Sequence, residues 1–209
     1  KEIIDPLSGI LDPFNIIILC LIVLVINLNT KSILKDKIKL EIIKQKTYFN
    51  EDKILSLYSY IGLVSRHFIY SLALAGILCN ILKYFFGVSR PRYFFLEGYD
   101  RTNFFNLEHK VSSFPSGHTQ AAFTLAILLI IYINRFTFYI LMIAVLMALS
   151  RIFMSMHFPS DLIAGAYLGS IVPLVIYNLY FRYDIEDISK KYHIKLGDLL
   201  KLLYYRFNL

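Results

Sequence analysis

Apolar residues in this chain fall into long runs separated by short, strongly polar segments, and these runs define the elements it predicts. Asp12-Pro13, an N-cap residue followed by a proline whose fixed φ suits a first helical turn, launches the apolar run 14–28. Between Thr30 and Lys53, seven lysines interleave with Leu34, Ile38 and Ile42 at helical spacing, the pattern of a basic amphipathic segment on an anionic membrane face. A helix follows over 54–86, with an uncharged stretch at 68–82. Within it Arg66 reads as an interfacial anchor and His67 as a structural residue. The stretch 88–113 is rich in Arg, Asp, Glu and Asn, and hydrocarbon offers its backbone groups no partner, so it belongs outside the membrane. Helices are then predicted over 116–133, 136–156 and 160–181, joined by very short turns that make them antiparallel neighbours. In the last of these, Gly165 and Gly169 form a small-xxx-small pair suited to close packing, and Pro173 is expected to kink it. The tail from Arg182 carries six Lys or Arg residues and a Leu-rich stretch at 196–203, read as an amphipathic helix.

Composition turns this pattern into a fold class. With 57% hydrophobic, 16% aromatic and only 18% charged residues in 209, the chain is too apolar for an ordinary soluble domain. The expectation is an all-α, polytopic transmembrane helical bundle forming one domain over 1–209, with five spans visible. The chain begins with Lys1 and not Met, so a further N-terminal segment carrying a sixth span is expected. A net charge of +7 would suggest nucleic acid in a soluble protein, but here the basic residues collect between apolar runs and report topology and contact with anionic lipid. Segment 30–53, the Asn134-Arg135 turn and the tail hold most of them, and five alternating spans put all three on the cytoplasmic side. Segment 88–113 and the turn 156–160 then share the outer face. Cys20 and Cys79 lie inside apolar runs and support neither a disulfide framework nor a zinc site.

The chemically loaded residues all fall at that outer face. Ser113-Phe-Pro-Ser-Gly-His-Thr119 is a polar turn opening into an apolar run, with Pro115 suited to a first helical turn. Free amides at Ser116 and Gly117 and the helix dipole would make a phosphate cradle, with His118 beside it. Lys83 and Arg90 are seven residues apart; if the helix continues to Pro91, both cations leave one face about 10 Å apart. Arg151 sits near the outer end of its helix, followed by His157 and Asp161. A helix starting near His157 would place those two one turn apart, where the carboxylate can accept the Nδ1 proton and leave Nε2 as nucleophile or base. Three cations, a helix N-terminus, two histidines and one carboxylate suit phosphoryl transfer without a metal or other cofactor: one histidine attacks phosphorus and the other protonates the leaving oxygen.

Lys83, six residues, Arg90-Pro91; Pro115-Ser116-Gly117-His118; and Ser150-Arg151, five residues, His157, three residues, Asp161 together resemble the three-part signature of the type 2 phosphatidic acid phosphatase superfamily, over about 83–181. The resemblance implies a six-span bundle with its site at the outer leaflet, His157 as the nucleophile forming a phosphohistidine, Asp161 as its orienting partner and His118 as general acid. It also implies that Lys83, Arg90, Ser116, Gly117 and Arg151 hold the phosphate. The apolar spans exclude the superfamily's soluble vanadium haloperoxidases. The implied setting is a bacterial inner membrane, with the site facing the periplasm and a membrane lipid phosphate as partner. Lipid A 1-phosphate ranks first, because the arrangement is similar to bacterial lipid A 1-phosphatases and Arg92, Arg101, His109 and Lys110 could meet a large anionic headgroup. Undecaprenyl diphosphate, phosphatidylglycerophosphate and phosphatidic acid also fit, as does a lipid phosphotransferase using the same histidine.

Overall fold

The computed structural model of the protein describes residues 13–33, 37–106 and 108–207; Asp12 and Leu34 lie outside the described residues. The described chain is helical: α1 (Pro13–Ile33), α2 (Lys37–Thr47), α3 (Glu51–Phe86), the short α4 (Pro91–Leu96), α5 (Gly117–Tyr132), α6 (Thr137–Phe153), α7 (Pro159–Ile176), α8 (Arg182–Tyr192) and α9 (Leu196–Phe207). Its extended pairing, among the described residues, is one isolated bridge between Val88 and Thr102. Three helical stretches, Glu51–Phe86, Asn134–Phe153 and Pro159–Tyr192, are long and apolar enough to cross a membrane, while 15–26 and α5 are shorter apolar helices. At 16 residues α5 is about 24 Å long. Outward side chains such as Leu146, Ile163 and Tyr167 are uncovered by protein, as lipid-facing residues are. The chain is a multi-pass helical membrane protein.

Chain contacts divide it into two compact units, 1–17 with 70–176 and 18–69 with 177–209. In the first, α5 packs most extensively on α7 and next on α6. The α5–α7 contact is made by the predicted glycine pair. A Cβ on Gly165 would stand 2.6 Å from the Ser116 carbonyl oxygen, and one on Gly169 would collide with the Gln120 carbonyl. Backbones this close leave no room for a methyl group. The interior is polar where a soluble core would be apolar: Thr119, Gln120 and Thr124 of α5 are buried, and Gln120 Nε2 donates to Thr124 Oγ1 at 2.9 Å. The apolar run of α5 therefore predicts a helix and not which face turns inward. Pro173 lies inside α7, and the winding loosens to a π segment at Tyr177–Phe181, one turn beyond the missing proline donor.

In the second unit, Leu40 and Ile43 of α2 are buried with Ile54, Leu57, Tyr58 and Leu202 of α9. Lys201 Nζ donates to the Thr47 carbonyl at 3.0 Å, and Lys53 pairs with Asp198 at 3.0 Å. The tail is helical as expected. The buried apolar residues of α2 are thus Leu40 and Ile43, while Ile42, one of the apolar positions singled out in the sequence, is half-buried. His67 is buried against the rings of Tyr177 and Phe181, at 5.6 and 5.2 Å, a structural role.

Candidate active site

The site is built by four segments of the first unit. α3 brings Lys83 in its last turn and stops at Phe86, because Gly87 adopts φ +49 and a Cβ there would collide with the Asn103 carbonyl. The helix does not continue to Pro91. Residues 88–90 run extended between two strips of loop: Val88 pairs with Thr102, Ser89 N–H donates to Arg101 O at 3.1 Å, and Arg90 N–H to Lys110 O at 3.0 Å. Arg90 is thus aimed by backbone pairing and not by helix periodicity. Even so, the two cations converge. Lys83 Nζ donates to the Ser112 carbonyl at 2.7 Å; Arg90 Nε donates to the His109 carbonyl at 2.8 Å and its NH2 group to Ser112 Oγ at 3.4 Å.

α5 starts at Gly117, two positions after Pro115, which lies outside the helix. Ser116 is the N-cap and Gly117 the first helical residue; Ser116 Oγ accepts from Thr119 Oγ1 at 3.0 Å and from Thr119 N–H at 3.5 Å. The Ser116 amide is taken, donating to the Asp161 carbonyl at 3.0 Å. The amides of Gly117 and His118, first in the helix, have no intrahelical acceptor and remain for an anion. A Cβ on Gly117 would stand 3.7 Å from Lys83 Cε, which puts the helix N-terminus against the cation.

His157 lies just before α7, whose first turn holds Asp161; both are buried, 3% and 1% exposed. Their separation is 3.7 Å from Nδ1 to Oδ2, too long for a hydrogen bond. The direct partner of Nδ1 is the Ser113 carbonyl oxygen, at 2.8 Å. A carbonyl only accepts, so Nδ1 carries the proton and Nε2 keeps its lone pair. Asp161 Oδ2 in turn accepts from Ser113 Oγ at 2.6 Å and from Phe158 N–H at 2.8 Å. Ser113 has one hydroxyl proton, and the short charge-assisted bond to the carboxylate outweighs the 3.3 Å contact with the Met156 carbonyl. Ser113 is the residue that sequence reasoning missed; its signal was position, three residues before the Ser-Gly-His turn. Burial lowers the pKa of His157, the charges of Lys83 and Arg90 lower it further, and Asp161 opposes them. Arg90's charge, then burial and Lys83, lower the pKa of His109 in the loop.

Lys83, Arg90, Ser112, Gly117, His118 and His157 line one cavity of about 620 Å³. Its far wall is apolar, formed by Leu72, Ala73, Gly76 and Ile77 of α3. Ser116, Asp161 and Arg151 are buried, at 0%, 1% and 7% exposure, and are not among the residues that line this cavity. A second cavity borders His157 and is lined by Arg92, Phe95, Leu96, Met154 and Phe158. Two of the loop's other basic groups are engaged locally: Lys110 pairs with Glu97 at 3.3 Å and Tyr99 at 3.0 Å, and Arg101 lies 3.7 Å over the Phe158 ring.

A family model described as the PAP2 superfamily matches residues 65–184, more than half of the chain and every residue of this site. The chain belongs to the PAP2 superfamily. The chain is similar to a protein named lipid A 1-phosphatase from Rhizobium johnstonii, 30% identical over 125 residues that cover 59% of this chain and 50% of the relative. A protein of the same name from Rhizobium etli is 30% identical over 125 residues, 59% of this chain and 53% of the relative. The bacitracin transport permease protein BcrC of Bacillus licheniformis is 33% identical over 72 residues, 34% of this chain and 36% of the relative. The chain spans about half the length of the Rhizobium relatives it matches. No solved structure matches it.

Proposed function

We propose that this PAP2 protein is an integral membrane lipid phosphatase that hydrolyses a lipid phosphomonoester or diphosphate through a phosphohistidine on His157. The observation that carries the reading is the two-ended cavity: cations, helix amides and both histidines at one end, the apolar wall of α3 at the other. Such a cavity suits an amphiphile with a phosphate head.

In this reading Nε2 of His157 attacks phosphorus while the bond from phosphorus to the lipid oxygen breaks. His118 donates its proton to the departing oxygen. Water then attacks the phosphohistidine with His118 accepting its proton, inorganic phosphate leaves, and Nε2 regains its lone pair. Lys83, Arg90, Arg151 and the Gly117 and His118 amides stabilise the charge spread over the equatorial oxygens. Ser116 caps the helix that presents those amides. Asp161 acts on His157 through Ser113 and through its own charge. Cations stand where a metal would otherwise neutralise phosphate, which is the basis for reading the chemistry as metal-independent.

Lipid A 1-phosphate is the first-ranked substrate, supported by similarity to the two Rhizobium proteins and by the second cavity with Arg92 beside His157, which suits a large anionic headgroup. The distribution of Lys and Arg supports a periplasm-facing site in a bacterial inner membrane. The test is phosphate release by the purified protein in detergent from lipid A, undecaprenyl diphosphate, phosphatidylglycerophosphate and phosphatidic acid. Release to water, fastest from lipid A, is expected. Release from none of them sinks the reading, and phosphate passed to a second lipid without release makes the protein a phosphotransferase.

A further inference from the structure

The α3 wall of the cavity is one helical face: Leu72, Gly76, Asn80 and Lys83 recur at intervals of three and four residues, with Ala73 beside them. Lys83 marks its charged end, and Gly76 lies seven residues back, about 10 Å along the helix. Gly76 differs in kind from the two glycines of the neighbouring helix pair. Gly165 and Gly169 are required by backbone contact, whereas nothing beyond the local backbone of α3 itself lies within 4 Å of the position a Cβ on Gly76 would take. Glycine inside a helix is destabilising relative to alanine, and packing does not demand it here. What it does is leave the groove open and its backbone bare. Asn80 Nδ2 donates to the Gly76 carbonyl at 3.0 Å, which holds the asparagine side chain along the wall.

We infer that Gly76 sets how deeply a substrate's hydrocarbon chain enters the cavity, and so is a specificity-determining residue; the inference rests on the lipid-phosphate reading above. The occupant is the acyl or alkyl chain next to the phosphate, because the open stretch is continuous with the cation-lined end and lies on the same helical face. A side chain at 76 would shorten the groove and leave Lys83, Arg90, His118 and His157 in place. Short-chain or chainless phosphates would still reach them.

The experiment compares Gly76→Leu and Gly76→Phe with Gly76→Ala and wild type in detergent. With a long-chain lipid phosphate, kcat/KM should fall at least tenfold for the two bulky variants, mainly through KM, while phenyl phosphate hydrolysis stays at the wild-type rate. Gly76→Ala should fall between them and wild type. An equal loss on both substrates overturns the inference, as does undiminished long-chain activity in Gly76→Leu. Binding supplies a readout without turnover: Gly76→Leu should weaken a hexadecyl phosphonate at least tenfold and leave phenylphosphonate unchanged, and parallel effects on the two ligands overturn the inference. If wild type hydrolyses nothing, the phosphatase reading falls on its own, and the phosphonate pair still decides the role of Gly76.

Discussion

Nδ1 of His157 hydrogen-bonds the carbonyl oxygen of Ser113 at 2.8 Å, while the nearest oxygen of Asp161 is 3.7 Å away. The nucleophile candidate is therefore oriented by a peptide group, and the carboxylate holds that peptide's residue in place. Ser113→Ala keeps the carbonyl and loses the hydroxyl bond to Asp161, so kcat should drop about tenfold, the scale of one hydrogen bond to a charged group. Asp161→Ala strands the Ser113 hydroxyl and the Phe158 amide and removes the charge. Its kcat should fall by on the order of a thousandfold, with about 1–3 kcal/mol of stability lost per stranded group. Steady-state kinetics and thermal unfolding of both variants check the order; equal kcat losses would remove Asp161's separate role.

The two histidines should separate by leaving group. His157→Ala is expected to abolish turnover and any covalent phosphoenzyme. His118→Ala should slow lipid phosphate hydrolysis by about 10²–10⁴ and an activated aryl phosphate much less, because an aryl oxide departs without a proton. Trapping phosphoenzyme from both variants checks this: label retained in His157→Ala places the nucleophile elsewhere.

Attack requires neutral His157, and its pKa is held below the usual histidine value of about 6.5 by burial and by Lys83 and Arg90. A lowered pKa keeps the imidazole neutral further into acid. The acid limb of kcat/KM should therefore lie below pH 6.5 by this cause, and Lys83→Met, which removes a positive charge, should move the limb upward. A limb that stays fixed or moves down would contradict it.

Gly165→Ala puts a methyl group 2.6 Å from the Ser116 carbonyl. The α5–α7 pair must spread, costing about 1–3 kcal/mol in thermal unfolding. Because Ser116 caps the helix that presents the Gly117 and His118 amides, phosphatase activity should fall as well. The same substitution at Gly76 has open space around it, and wild-type stability or better is expected there.

Chelation offers a separate check on the chemistry. EDTA treatment should leave phosphate release unchanged, and activity lost to EDTA and restored by magnesium would require a metal that the proposed mechanism does not use.

The candidate residues were legible because their side chains carry their chemistry openly: Lys83, Arg90, His118, Arg151, His157 and Asp161 stand near the ends of apolar runs, although loop pairing and not helix spacing brings Arg90 to the cavity. The helices were legible from apolar runs, and the α5–α7 contact from Gly165 and Gly169. Backbone roles were not. No residue type announces that its carbonyl will hold an imidazole, as Ser113 does, or that a left-handed Gly87 will hand Arg90 from helix to loop. Long-range packing was hidden too: nothing near Leu40 or Ile43 tells that Leu202, far along the chain, will cover them.

Ser112 and Ser113 present consecutive carbonyls, one to Lys83 and the next to His157. Among the described residues no carboxylate is ion-paired with Lys83 or Arg90, so in this loop neutral dipoles hold two mutually repelling cations. In the proposed mechanism a phosphate dianion would compete with the Ser112 carbonyl for Lys83, while the adjoining Ser113 carbonyl keeps its hold on His157. The group that would meet the phosphate and the group that would attack it are thus tethered to neighbouring peptides of one loop.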